Sequence, residues 1–322
     1  MAQGGRYPGG TRFAFTIIDD TDDATEENIT PVYDLLHQLG MGATKTIWPV
    51  ACPEGSDLFF AGHTMEHAAY ARFVRRLAAT GFELAFHSAT METSPRERVV
   101  AALDRFRDIA GTWPRVHANH AHNRDNLYWG VGRVDFLPVR MFYALINGHP
   151  GDWFQGHVEG SPWWWGDLCR DRIEYVRNLT FDDINLLNVN PTLPYRDPRR
   201  PLAPWWFSAT DAEDSAAFNV IVDEAAQDRL EAEGGVCILA THLGKRYARN
   251  GHVHPRTEAL LRRLAAKGGW FPTVSQLLDW LRASTPGDRV LPSSEWRRMQ
   301  IRWARDLILR RVRPPAPVEW PS

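Results

Sequence analysis

The sequence predicts an α/β protein with parallel strands, and three observations lead there. Short apolar runs rich in β-formers alternate with segments of helical periodicity up to about residue 120 and again after residue 234. Polar and titratable residues gather at the ends of the apolar runs, not at their starts. Strand, helix, strand repeated in this way implies right-handed crossovers between parallel strands.

In chain order, the run 13–18 reads as a buried strand and stops at four carboxylates, Asp19, Asp20, Asp22 and Asp23. Carboxylates this close repel one another unless a cation or basic partners neutralise them. In open α/β sheets and α/β barrels, the carboxyl ends of the strands are where ligands bind. Asp22 and Asp23 also suit the turn and the cap of the helix opening at Thr25-Glu26-Glu27-Asn28, whereas Asp19 and Asp20 lie too near the strand end for that. Ile29, Val32, Tyr33, Leu35, Leu36 and Leu39 recur at helical spacing before Gly40. A second strand is expected over 43–50, a loop over 52–64, and a helix over 67–80 with Phe73, Val74 and Leu77 inward. The third strand, 82–86, ends at His87-Ser88. Ser94, Pro95 and Glu97 read as cap, first position and capping box of a helix reaching about residue 110. The fourth strand, 115–118, runs into Asn119-His120-Ala121-His122-Asn123. This topology brings Asp19, Asp20, His87, His117, Asn119 and His120 to one rim.

The alternation breaks over 135–232, where Trp153, Trp163-Trp164-Trp165 and Trp205-Trp206 stand among many Pro and Asn residues. Pro191, Pro194, Pro198, Pro201 and Pro204 exclude long helices from their part of it. The tandem aromatics suit packing under an irregular segment, or a platform for a sugar ring. Regularity returns at 234–242, an apolar strand with His242 at its end, followed by a cationic loop with Lys245, Arg246 and Arg249. A helix over 255–266, a last strand over 269–273 and a helix over 274–281 complete the pattern. Over 296–311, Trp296, Met299, Trp303 and Leu307 recur at helical spacing in an Arg-rich context. That segment is expected to pack on the body, with contact to an anionic membrane surface as the alternative.

Composition narrows the function classes. At 322 residues, 44% hydrophobic and 24% charged, the chain can bury a large core. A formal charge of −2 makes no case for nucleic acid as a partner. Three widely spaced cysteines, Cys52, Cys169 and Cys237, form neither a disulfide framework nor a zinc knuckle and suit a reducing compartment. The first ten residues lack the apolar centre of a signal peptide, and no apolar run is long enough to span a bilayer, so a cytoplasmic location is expected.

The rim residues form a mixed oxygen and nitrogen donor set. It suits Zn, and also Mn, Fe, Co or Ni. With a divalent ion polarising a carbonyl, an acid taking the proton of water and a His protonating the leaving group, the parts fit hydrolysis of an amide or ester.

On these residues the chain resembles the polysaccharide deacetylases, carbohydrate esterase family 4. Thr16-Ile17-Ile18-Asp19-Asp20 resembles the family's Thr-Phe-Asp-Asp-Gly motif. Gly81-Phe82-Glu83-Leu84-Ala85-Phe86-His87-Ser88 resembles its Gly-x-Glu-Ile-Gly-x-His-Ser/Thr motif. Ile238-Leu239-Ala240-Thr241-His242 resembles the strand that carries its last His, and 269–278 follows its C-terminal pattern. The resemblance covers most of 12–133 and 234–283. It implies a distorted (β/α) barrel over 1–285, with 135–232 as an irregular aromatic-rich insertion, followed by a basic helix and Pro-rich tail over 286–322. It also implies removal of an N-acetyl group from a sugar-containing substrate, with Asp19 as general base, His242 as general acid, and Asp20 and His87 as metal ligands. The family's second motif continues to another His, and Met91 stands there instead. His120 is expected to supply the missing ligand, with His117 the next choice, and His117 and Asn119 are placed beside the substrate. Two other readings stay open: hydrolysis of a different linear or cyclic C–N amide bond, and a non-catalytic carbohydrate-binding protein.

Overall fold

Residues 5–53, 56, 62–146, 148–285, 287–316 and 318–320 are described in a computed structural model of the chain. In chain order the elements are β1 (Ala14–Asp19), α1 (Glu26–Gln38), β2 (Ala43–Ile47), α2 (Ala68–Ala79), β3 (Glu83–Phe86), α3 (Arg96–Ala110) and β4 (Val116–His117). Then come α4 (Leu137–Ile146), α5 (Gly166–Arg172), β5 (Tyr175–Phe181), β6 (Trp205–Asp211), α6 (Ser215–Ile221), α7 (Glu224–Glu233) and β7 (Val236–Thr241). A small hairpin, β8 (Ala248–Arg249) and β9 (His252–Val253), precedes α8 (Pro255–Ala266), α9 (Val274–Ser284) and α10 (Ser293–Val312).

All seven main strands are parallel and close a barrel in sequence order, with β7 returning to β1. The β1–β7 register runs from Ala14↔Val236 to Asp19↔Thr241, and on the other side Asp19 pairs with Lys45 of β2. Every residue of β1 and β7 is buried, as near-continuous apolar strands covered on both faces must be. The run expected as a last strand over 269–273 contributes only an isolated bridge, Ala14↔Trp270. The barrel therefore closes on seven strands, and the loop expected over 52–64 lies partly outside the described residues.

The stretch read as irregular, 135–232, instead supplies two barrel strands and four helices. Its Pro-rich part, 186–204, is indeed free of α-helix. The two flanking strands escaped notice because β5 carries Arg177, Asn178 and Thr180, whose polar side chains interrupt the apolar signal. A register shift between Arg177 and Thr180 bends β5 at this point.

Local signals behave unevenly. α1 is capped by Thr25, whose hydroxyl accepts from Asn28 N–H while Asn28 Oδ1 accepts from Thr25 N–H, so neither Asp22 nor Asp23 is the cap. α3 opens without a side-chain cap, because the Ser94 hydroxyl donates to the Glu92 carbonyl. α10 packs on the body as expected: Trp296, Met299 and Trp303 are buried, and Gln300 Oε1 accepts from the Asp135 and Phe136 amides ahead of α4. Among the described residues no helix is long and apolar enough to cross a membrane.

Candidate active site

β1 delivers two adjacent carboxylates, and a strand must send successive side chains to opposite faces. Asp19 turns to the helix layer, where Tyr33 of α1 donates to it at 3.0 Å, the Lys45 ammonium stands 2.9 Å away and Leu243 N–H donates at 2.8 Å. Asp19 and Lys45 are both fully buried. Gly244 makes the close approach of that loop possible, since a Cβ there would meet the Asp23 carbonyl carbon at 2.5 Å. Asp19, expected at the rim as the base, is thus committed to an internal ion pair and does not line the cavity at the mouth.

Asp20 takes the opposite face. Arg177 of β5 grips it with both terminal nitrogens, one at 2.9 Å, and the pair is buried. Burial alone would push the Asp20 pKa up, but Arg177 together with His87 and His242 outweighs it and holds the carboxyl below its ordinary range. Asp20 is 4.0 Å from His242 Nε2.

Asp22, read from sequence as a turn residue, is the point on which the imidazoles converge. Its oxygens lie 3.2 Å from His87 Nε2, 3.6 Å from His120 Nε2 and 3.6 Å from His242 Nε2. Each ring is oriented from behind. His87 Nδ1 meets the Ala118 carbonyl at 2.9 Å, and His242 Nδ1 meets the Glu213 carbonyl at 2.8 Å. Asn123 gives its amide nitrogen to the Thr90 and Glu92 carbonyls, which leaves its oxygen facing His120 Nδ1 at 3.2 Å. A ring nitrogen that meets an amide or carbonyl oxygen is the protonated one. In the neutral rings, three Nε2 lone pairs therefore point at one carboxylate. Such a set repels itself unless protons or a metal cation occupy it, and ring N–H groups anchored on carbonyl oxygens are how metal-binding His residues are held. By type the donors suit a divalent ion such as Zn, while among the described residues the set whose ligand atoms all lie within 4.8 Å of one another is Glu26, His63 and His67.

The strand ends make this convergence. His87 follows β3, and Ser88 turns the chain there with φ of +67°, a conformation costly for a non-glycine residue. The Trp48 indole N–H donates to the His87 carbonyl at 2.9 Å, and its ring stands edge-on to His120. His120 thus reaches the cluster as expected, while Met91 is buried. His117 does not: it is fully buried edge-on to Trp165, on the face of the sheet that Asp19 also takes, with its ring nitrogens on the Phe86 carbonyl and Asn119 Oδ1. Burial pushes its pKa down to about 4. Asn119 borders the cavity, but its amide is taken up by the Leu127 backbone. His122 is turned away to His149.

The cavity above the cluster is about 280 Å³. Asp20, Asp22, His87, His120 and His242 form its floor, and Trp129, Arg133, Tyr143, Trp303, Leu307 and Arg310 contribute its walls. Sequence reasoning missed Asp22, Arg177 and all of these wall residues. The tandem tryptophans 163–165 and 205–206 are not among the lining residues. That second His-carboxylate group joins the first turn of α1 to the segment leading into α2, with Glu26 Oε2 at 2.8 Å from His63 Nδ1 and 3.7 Å from His67 Nδ1.

No family model matches the chain, and no curated protein matches it. Solved structures do. A candidate polysaccharide deacetylase from Mycobacterium smegmatis superposes with a TM-score of 0.50 at 14% identity, covering 90% of this chain and 97% of that one. The Puue allantoinase superposes with a TM-score of 0.50 at 14% identity, covering 87% of this chain and 94% of that one. At such identities the likeness is one of fold, and the chain is a (β/α) barrel of the polysaccharide deacetylase type.

Proposed function

We propose that the chain is a metal-dependent hydrolase of a non-peptide C–N amide bond. The observation that carries this reading is the convergence of three Nε2 atoms on Asp22 at the carboxyl ends of the barrel strands. Asp22, His87 and His120 would hold a divalent cation, Zn first among Zn, Mn, Co, Fe and Ni. When bound, the ion supplies Lewis acidity, which polarises a carbonyl and makes water more acidic. Asp20 is the proton acceptor for the attacking water in place of Asp19, because Arg177 keeps it ionised and it faces the cavity. His242 stays the proton donor to the leaving nitrogen: the Glu213 carbonyl fixes Nδ1–H, so Nε2 carries the exchanging proton into the cavity.

The substrate class is a small N-acyl compound. Removal of acetate from an N-acetylated sugar is the first candidate, and cleavage of a small linear or cyclic ureide, the type of bond an allantoinase handles, is the second. The volume of about 280 Å³ suits one ring or one ureide and not a polymer segment. The test pairs metal analysis of the purified protein with assays of acetate release from N-acetylhexosamines and of ring opening or ammonia release from ureides. Asp22→Ala is expected to lose the metal and at least about a hundredfold in turnover, as removal of a central catalytic group does. An Asp22→Ala protein that keeps both would sink the assignment.

A further inference from the structure

Arg133 ends the 3-10 turn Gly130–Arg133 and is only 6% exposed, yet it borders the cavity. Its guanidinium carbon stands 3.8 Å from the Trp129 ring centroid and 5.3 Å from that of Trp303. Nη2 donates to the Asn178 carbonyl and Nε to Asn178 Oδ1 at 3.4 Å. The Tyr143 hydroxyl is a further hydrogen-bonding neighbour. Among the described residues, no carboxylate lies within 4.0 Å of Arg133. The other two guanidiniums of the cavity are neutralised: Arg177 by Asp20, and Arg310 by Asp211 and by Asp182 at 3.1 Å. A buried charge without a counter-charge is expensive, and burial pushes the Arg133 pKa down to about 10. Indole faces and a carbonyl offset part of that cost but do not neutralise the charge.

We propose that Arg133 is a specificity-determining residue that pairs with a carboxylate carried by the substrate, which narrows the class to small N-acyl or N-carbamoyl carboxylic acids. The inference rests on reading this cavity as the substrate site of an amide hydrolase. A planar guanidinium suits a planar carboxylate.

The test is calorimetric binding to the full-length protein, with N-acetylglycine and its neutral counterpart N-acetylglycinamide as probes. Measuring the chelator-treated protein removes any preference due to a metal and keeps the result independent of turnover, so failure of the hydrolase reading stays distinguishable. The acid is expected to bind about tenfold more tightly than the amide. Arg133→Met should bring the two within about twofold, with its fold checked by circular dichroism. Should that variant unfold, Arg133→Lys decides, with an expected drop in the ratio of about threefold or more. Equal binding of the two probes, or a ratio that survives in the deciding variant, overturns the proposal. Inorganic phosphate binding more tightly than N-acetylglycine would overturn the carboxylate assignment.

Discussion

Asp19 and Lys45 form an ion pair with no exposure on either side chain, held also by Tyr33 and the Leu243 amide. Removing one partner strands the other charge in the interior, so Lys45→Met is expected to cost about 3–5 kcal/mol in a urea melt. A double change, Asp19→Leu with Lys45→Met, should recover much of that loss, because a buried pair can be replaced by apolar groups of similar volume. Asp19→Asn should therefore act mainly on stability, whereas Asp20→Asn and Asp22→Asn should act mainly on turnover. An Asp19→Asn protein as stable as the wild type but inactive would return Asp19 to the catalytic role. The two neighbours part company because a strand alternates its faces. Asp20 and Asp22 both reach the mouth cavity, whereas Asp19 points to the helices.

At the scale of elements, the appended helix α10 borders the cavity. Trp303, Leu307 and Arg310 wall the cavity, while Glu295, Gln300 and Asp306, all nearly buried, accept hydrogen bonds from Thr192, from Asp135 and Phe136, and from Asp182. Trp303→Ala is expected to cost about 3–5 kcal/mol as a large-to-small core change. It should also widen the cavity, so KM for the smallest substrates should rise relative to that for bulkier ones. Unchanged stability and selectivity would remove α10 from the site. The helix itself was legible from Trp296, Met299, Trp303 and Leu307 at helical spacing. That its face also covers the barrel mouth was not, because periodicity says which side is buried but not against what. β5 illustrates the converse: its Arg177 is the partner Asp20 needs, and a polar residue inside a strand looks like a break in sequence.

Across the whole molecule, two buried groups and one half-buried histidine give stability a pH dependence of opposed signs. Burial pushes Asp125 up to about 7, so the stability it contributes is complete below the unfolded carboxyl pKa and is lost as pH rises to about 7. His117 and His157 are pushed down to about 4 by burial, so their contributions are present above the unfolded His pKa and are lost as pH falls toward 4. Between about pH 4 and 6.5 the unfolded chain binds two more protons at the His residues and one fewer at Asp125, so these groups together make stability rise with pH by about 1.4 kcal/mol per unit. Asp125→Asn should steepen that rise to about twice the slope. Urea melts at pH 5, 6, 7 and 8 check this, and an identical profile in the variant would show that Asp125 does not hold its proton. Asp125 is poised this way because only one of its oxygens has a partner, the Ser94 amide.

Sequence by itself determined the alternation, and it placed His87, His120 and His242, together with His117, at or just beyond strand ends. Those features follow from local periodicity and from where polar residues interrupt apolar runs. Only the tertiary structure decided which carboxylates join them. Pairing of β1 with β2 places Lys45 beside Asp19, and the return of β5 places Arg177 on Asp20. With Thr25 taking the helix cap, Asp22 is left to face three imidazoles. Partners between 14 and 224 residues apart in the chain set the surroundings of each acid, and no local pattern carries that information.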